Sequence, residues 1–279
     1  MNPPQGVVVS GASTGIGEAT VTMLARAGYV AFAGVRNESD AQRLRGLDAN
    51  VRPVFLDVTD DPSIARAMDE ISHDATPLLG VVSNAGLAIG GPLEHVPAGE
   101  LRRQFDVNVV GALALAQAAL PRLPSPGGRI VFVGSIAGRL AMPYIAPYSA
   151  SKFALRALSD ALRIELAPAG IAVSLVEAPS VRTPIWRKGR ESRDRLAELL
   201  GANARPHYYR AVETLMRMTE AEERTGISAD RAAQSIVHAI AATRPRARYV
   251  IGSAQAGSIL ALLPLRLRDR IIRAVQRFP

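Results

Sequence analysis

The sequence predicts an α/β protein built on one doubly wound parallel sheet of about seven strands, with helices on both faces. Three observations carry that expectation. Short apolar runs without polar alternation, such as Val7, Val8 and Val9, suit strands buried on both faces. Between such runs lie stretches of helical length, which parallel neighbours need as crossovers. The first run empties directly into GASTGIG, a glycine turn that opens a helix. With 279 residues, 48% of them apolar, and no internal repeat or low-complexity linker, the chain reads as one domain over residues 1–279.

In the first half, Gly11, Gly15 and Gly17 allow a tight turn and bring backbone N–H groups close to a pyrophosphate at the helix N-terminus, with Ser13, Thr14 and Ile16 completing the candidate contacts. The helix is expected over about Ile16 to Ala27, with Gly28 as C-cap, and a second strand over Tyr29 to Val35. Arg36 stands at the end of that strand. An acidic residue there would bind ribose hydroxyls, and an arginine would receive a 2′-phosphate, so NADP is expected in preference to NAD; a merely solvated arginine is the alternative. The third strand, Val51 to Leu56, runs into Asp57 and Val58. Asp61 and Pro62 are expected as N-cap and first residue of a helix reaching about His73. Leu79 to Ser83 is the fourth strand, followed by Asn84, Ala85 and Gly86 at the carboxyl edge, where open α/β sheets bind ligands.

The second half carries the chemistry. Asn108 falls in FDVNVVGALALAQAAL, a predicted helix, and is either a satisfied core amide or the holder of a water relaying protons from Lys152. The strand Arg129 to Gly134 delivers Ser135 to the carboxyl edge. A helix opened by Pro147 places Tyr148 and Lys152 at i and i+4 on one face. A tyrosine ordinarily titrates near pH 10. An ammonium beside it favours the phenolate and brings it towards the range useful for acid–base work. Lys152 and Lys188 are the only lysines in an arginine-rich chain, which weighs against a chance pairing.

In order and spacing, Gly11, Gly15 and Gly17, then Asp57, Asn84-Ala85-Gly86, Asn108, Ser135, Tyr148 and Lys152 resemble the short-chain dehydrogenase/reductase family over roughly Val7 to Thr183. GLAIGGPLEHV, DVNVVG and YSASKFAL are most similar to its 17β-hydroxysteroid and retinol dehydrogenase group. The resemblance implies a Rossmann-type fold and NAD(P)-dependent interconversion of an alcohol and a carbonyl. It implies Tyr148 as proton donor, Ser135 as hydrogen-bond donor to the reacting oxygen, Lys152 as the group that lowers the Tyr148 pKa and binds the nicotinamide ribose, and Asn108 as positioner of a relay water. Asp57, with Val58, would meet adenine, and Pro179 and Thr183 the nicotinamide end. Pro179-Ser180 departs from the family's usual Pro-Gly. An arginine at the place of Arg36 implies NADP preference in that group, and a homodimer or homotetramer is expected.

Residues Val181 to Gly226 occupy the place of a substrate lid. They mix Trp186, Leu196, Leu199, Leu200, Tyr208, Tyr209, Leu215, Met216 and Met218 with many arginines. The apolar set suits packing or a bulky lipophilic substrate such as a steroid, retinoid or long-chain alcohol; the arginines alternatively suit a carboxylate or CoA group. Ser228 is expected to cap a helix to about Ala242, and Ala247 to Ile251 to form the last strand. In the tail, residues 256–279, Arg266, Arg270, Arg273 and Arg277 form a stripe opposed by Leu267, Ile271, Ile272, Val275 and Phe278. Such a helix either lies peripherally on an anionic membrane or packs on its own domain or a second subunit.

Composition closes off other classes. There is no cysteine, and the four histidines lack ligand spacing, so no disulfide and no metal site is expected. The net charge of +8 is dispersed, without a recognition helix, RNA-binding aromatic motif or zinc module, so no nucleic-acid partner is expected. MNPPQGVVVSG lacks the features of a signal peptide, and a cytoplasmic location is expected. A catalytically silent dinucleotide-binding regulator is the remaining competitor.

Overall fold

The computed structural model describes residues 4–183, 208, 213, 217 and 224–276. Seven strands form one parallel sheet in the order β3-β2-β1-β4-β5-β6-β7. They are β1 (Gly6–Val9), β2 (Val30–Val35), β3 (Val51–Phe55), β4 (Leu78–Ser83), β5 (Arg129–Ser135), β6 (Ala172–Ala178) and β7 (Arg248–Val250). The alternating side-chain directions of a strand feed two cores. Val7 and Val9 join one with Leu24 of α1 (Gly15–Arg26), Leu44 of α2 (Glu38–Arg45) and Ile236 of α7 (Ala229–Ala241). Val8 joins the other with Met68 of α3 (Asp61–Ser72), Leu115 of α5 (Gly111–Ala119) and Leu155 of α6 (Ala146–Glu165). Both faces are therefore apolar, which is why the strand sequences do not alternate. After β3 the chain returns to the other side of β1. The resulting switch point between β1 and β4 opens a crevice at the carboxyl ends of the strands.

Two local expectations are corrected. Asp60, not Asp61, caps α3: its side chain accepts from Ser63 N at 3.1 Å, and Pro62 lies one position further into the helix. An N-cap carboxylate must meet the N–H three residues on, and of the two adjacent aspartates only Asp60 has that register. The stretch containing Asn108 is not a plain α-helix. A π turn over Asp106–Val110 separates α4 (Ala98–Phe105) from α5, with Gly111 N bonded to Asp106 O, five residues back. A Cβ on Gly111 would lie 2.4 Å from Val58 O, so the helix and the loop after β3 meet closely here.

Beyond β7, α8 (Ala254–Leu260) and α9 (Leu265–Gln276) close the chain. Gly257 of α8 presses on Ile136, beside Ser135. Ile272 of α9 is buried, while Ile259, Leu262, Leu265 and Leu267 are exposed. Arg277 and Phe278, and the side chain of Val275, lie outside the described residues.

Candidate active site

A cleft of about 990 Å3 runs along the carboxyl ends of the strands. Among the residues expected from sequence, Gly11, Ser13, Thr14, Gly15, Ile16, Arg36, Asp57, Val58, Asn84, Ala85, Gly86, Ser135, Tyr148, Lys152, Pro179 and Thr183 all line it. Gly17 and Asn108 stand behind the wall.

The glycine turn fits a dinucleotide. Gly11 and Gly15 have φ of +61° and +59°, a region open to glycine at no cost. A Cβ on Gly17 would sit 2.2 Å from Gly11 O, so α1 approaches the turn as nothing but glycine permits. Thr14, the N-cap of α1, makes no side-chain cap bond, and Thr14, Gly15 and Ile16 at the start of the helix line the cleft, as a helix N-terminus that receives a pyrophosphate would. Asn84 braces the turn from behind by donating Nδ2–H bonds to Ser10 O (2.9 Å) and Gly11 O (3.0 Å). Ser10 Oγ in turn accepts from Asn84 N and Ala85 N, both at 3.0 Å. This buried serine was not singled out from sequence, where it reads as an ordinary strand end.

Asp57 and Arg36 both line the cleft, and their charges face one another electrostatically. Burial tends to raise the Asp57 pKa, but bonds from Thr59 Oγ1 (2.7 Å) and Thr59 N (2.9 Å), with the Arg36 charge, outweigh it and hold the carboxyl below its ordinary value. Arg36 is exposed at the cleft edge.

At the other end, Ser135 closes β5 and its Oγ accepts from Ala137 N at 3.2 Å. Tyr148 and Lys152 occupy the first turns of α6. Lys152 is only 6% exposed, and its Nζ donates to Val133 O at 2.8 Å while lying 5.6 Å from the centre of the Tyr148 ring. Burial brings its pKa down to about 8. A cation placed so close to the ring is what a tyrosine needs to work as an acid below its ordinary pKa.

Asn108 is fully buried and satisfied. Its Oδ1 accepts from Leu87 N (2.9 Å), and its Nδ2 donates to Leu87 O (3.0 Å) and to Ser151 Oγ (3.0 Å). Ser151 Oγ passes the chain on to Tyr148 O at 2.7 Å. Both amide hydrogens are thus engaged within the protein. Gln104, four residues earlier and equally buried, does the same for the loop: Nε2 donates to Leu87 O (2.6 Å), and Oε1 accepts from Ile89 N (2.8 Å). The signal for Gln104 was available as a second amide at i−4 from Asn108.

Comparison with known proteins shows the family. Residues 5–194 match the family model for short chain dehydrogenases. The chain belongs to the short-chain dehydrogenase/reductase family. It is an NAD(P)-dependent oxidoreductase. Over 275 residues, 95% of this chain and 94% of the relative, it is 32% identical to an NADPH-dependent 3-dehydrocapnine reductase of Ornithobacterium rhinotracheale. It is 30% identical to human 17-beta-hydroxysteroid dehydrogenase type 1 over 274 residues, 94% of this chain and 81% of that one. A 3-amino-tetrahydro-pyrrolizinone reductase of Xenorhabdus hominickii is 38% identical over 187 residues, a match spanning 65% of this chain and 63% of that relative. A short-chain dehydrogenase/reductase of Burkholderia phymatum, solved in complex with NAD, superposes with a TM-score of 0.77 at 26% identity, covering 97% of this chain and 95% of that one.

The chain on either side of residues 182–226 is tied together in this oxidoreductase. Val181 and Ile227 form a parallel bridge, with Arg182 N bonded to Ile227 O (2.9 Å) and Ile227 N to Ser180 O (3.0 Å). Ser180 takes part in that closure through its backbone carbonyl. Tyr208 reaches across to Glu94 and stacks edge-on with His95. Trp186, Leu196, Leu199, Leu200, Tyr209, Leu215, Met216 and Met218 lie outside the described residues. Among the described residues no helix is long and apolar enough to cross a membrane, and no group of three acidic, histidine or cysteine side chains is placed to hold a metal.

Proposed function

We propose that this chain is an NADP(H)-dependent reductase or dehydrogenase of a bulky lipophilic alcohol or carbonyl, such as a steroid, a retinoid or a long-chain compound. One observation carries the reading: Ser135 and Tyr148 share the cleft with an apolar wall that includes Leu87, Ile89, Leu140, Met142 and Ile145, while Arg36 stands at its far end. The dinucleotide, when bound, supplies or accepts the hydride. Tyr148 donates the proton to the developing alkoxide, and Ser135 hydrogen-bonds that oxygen where charge appears. Lys152 holds the Tyr148 pKa down and turns to the nicotinamide ribose. Gly11 to Gly17, Val58 and Asn84 to Gly86 frame the dinucleotide, Asp57 meets adenine, and Pro179 and Thr183 meet the nicotinamide end. Asn108 positions the relay water, itself held by its bonds to Leu87 and Ser151. Arg36 receives the 2′-phosphate, in keeping with the NADPH dependence named for the 3-dehydrocapnine reductase relative.

The test is a panel of estrone, all-trans-retinal, 2-decanone and acetoacetyl-CoA with NADPH and with NADH. Turnover of one of the first three with NADPH preferred supports the reading, and turnover confined to acetoacetyl-CoA replaces the lipophilic substrate with an acidic one.

A homodimer or homotetramer working in the cytoplasm belongs to the same proposal. Val110, Phe153 and Ile164 are 59%, 40% and 66% exposed around α5 and α6, apolar surface suited to a second copy. The absence of cysteine suits a reducing compartment. Peripheral membrane contact rests on Leu262 and Leu265, exposed beside Arg266, Arg270 and Arg273. Light scattering reads the first. Sedimentation with anionic vesicles, with and without residues 256–279, reads the second, and equal binding by both forms removes it.

A further inference from the structure

Glu177 lies near the end of β6 with no exposure, between Val176 and Ala178. A carboxylate so deeply buried is costly unless it is paired and hydrogen-bonded. Its partner is Arg139, whose Nε donates to Oε1 at 2.7 Å while Nη2 meets Oε2. Arg139 closes the single turn that follows Ser135: the turn spans Ile136–Gly138, and Arg139 N bonds to Ile136 O at 2.9 Å. The opposite side of this turn is pressed on α6, because a Cβ on Gly138 would sit 2.7 Å from Lys152 O. The β5–β6 register sets Glu177 beside Gly134 and Ala178 beside Ser135. The ion pair therefore spans from the turn that carries Ser135 to the strand that goes on to Pro179 and Ser180.

Around the pair stand Arg156 and Asp160 of α6 and Arg248 of β7, with Arg248 bonded to Asp160. The Glu177 bond raises the Arg139 pKa, so the guanidinium stays charged. Apolar side chains of similar volume would fill this place at no loss of stability as a rule. A bidentate Arg–carboxylate pair adds direction, since its two parallel bonds fix the angle as well as the distance.

We propose that Arg139 and Glu177 are positioning residues that set the direction of the Ser135 hydroxyl by clamping its turn between α6 and β6. Neither group touches substrate. The proposal rests on the role assigned to Ser135 above.

The test is a double-mutant cycle between the clamp, as Arg139→Met with Glu177→Met, and Ser135→Ala. It is read by kcat, KM and NADPH binding with estrone, retinal or 2-decanone, whichever the unaltered chain reduces fastest. With Ser135 present, the clamp variant is expected to lose about tenfold to a hundredfold in kcat, with NADPH affinity unchanged. With Ser135→Ala already in place, it is expected to lose nothing further. An undiminished loss in the Ser135→Ala background overturns the proposal and leaves the role of Ser135 standing, as does an unaltered kcat in the clamp variant. If Ser135→Ala alone keeps full turnover, the Ser135 assignment fails and the clamp proposal with it. Should the double substitution fail to fold, Arg139→Lys decides: it keeps the charge but loses the fork, and an unchanged kcat overturns the clamp.

Discussion

At the dinucleotide end of the cleft the ligand-facing surface is largely backbone, shaped by Gly11 and Gly15 with Gly17 packed beneath, whereas at the opposite end it is side chains, Ser135, Tyr148 and Lys152, carried on a strand end and a helix. The first end tolerates no added atom, as the 2.2 Å approach at Gly17 shows. The second should tolerate removal of atoms with its fold intact. Substitutions at the second end are therefore expected to separate chemistry from binding, and those at the first to move binding itself.

The largest separation is expected from Tyr148→Phe, which removes one hydroxyl from a half-buried ring. Turnover should fall about a thousandfold, the scale of a lost general acid, with NADPH affinity by fluorescence unchanged. Persistent turnover would dissolve the contrast between the two ends. Lys152 gives the next effect, read on stability. Its folded pKa of about 8 lies below the unfolded value of about 10.4. The unfolded chain therefore holds more protons between those values, and the burial cost, complete below pH 8, vanishes as pH rises towards 10.4. Without dinucleotide, Lys152→Met should be more stable than the parent at pH 7 by up to about 3 kcal/mol, and the advantage should shrink steadily as pH is raised from about 8 towards 10.4 in urea titrations. Parallel stability curves would show that the lysine is not held in that desolvated state.

At the dinucleotide end, Arg36→Asp should shift the NADPH/NADH ratio of kcat/KM by about a hundredfold towards NADH, on the scale of one lost charge-assisted contact with an added repulsion. An unmoved ratio would take Arg36 out of the cofactor site. The smallest effect is expected where the two ends share a brace. Asn108→Ala strands buried polar groups at Leu87 and Ser151 and should cost about 2 kcal/mol in stability, with a smaller fall in kcat than Tyr148→Phe. A fall as large as that of Tyr148→Phe would instead make Asn108 part of the proton path.

The parts legible in the sequence were those where residue type and local spacing suffice. Three glycines before a helix, a tyrosine and a lysine four apart after a proline, and unbroken valine runs each express a constraint within one element. What stayed hidden depends on distant pairings. Glu177 in VSLVEA gives no sign that Arg139, 38 residues earlier, answers its charge. Ser10 and Gln104 act on Asn84, Leu87 and Ile89 across loops. The π turn at Asp106–Val110 has ordinary helix-forming neighbours, and it sits beside the close approach of Gly111 to Val58, a tertiary contact. The shift of the α3 cap from Asp61 to Asp60 is the one case where the local rule sufficed but the register was misread.

The bridge between Val181 and Ile227 has a consequence for how such enzymes diverge. It brings together the two ends of a long excursion, so the sheet sees a closed junction whatever the excursion contains. The entropy of closing a loop grows only slowly with its length. A segment entered and left at one point can be exchanged as a cassette, lengthened or rewritten, without changing the strand and the helix that hold Ser135 and Tyr148. The family match ends at residue 194, inside that excursion. On the proposed reading, grafting residues 184–226 from a relative of different specificity onto this scaffold is expected to carry the substrate range across, with Thr183 and the hydride chemistry left in place.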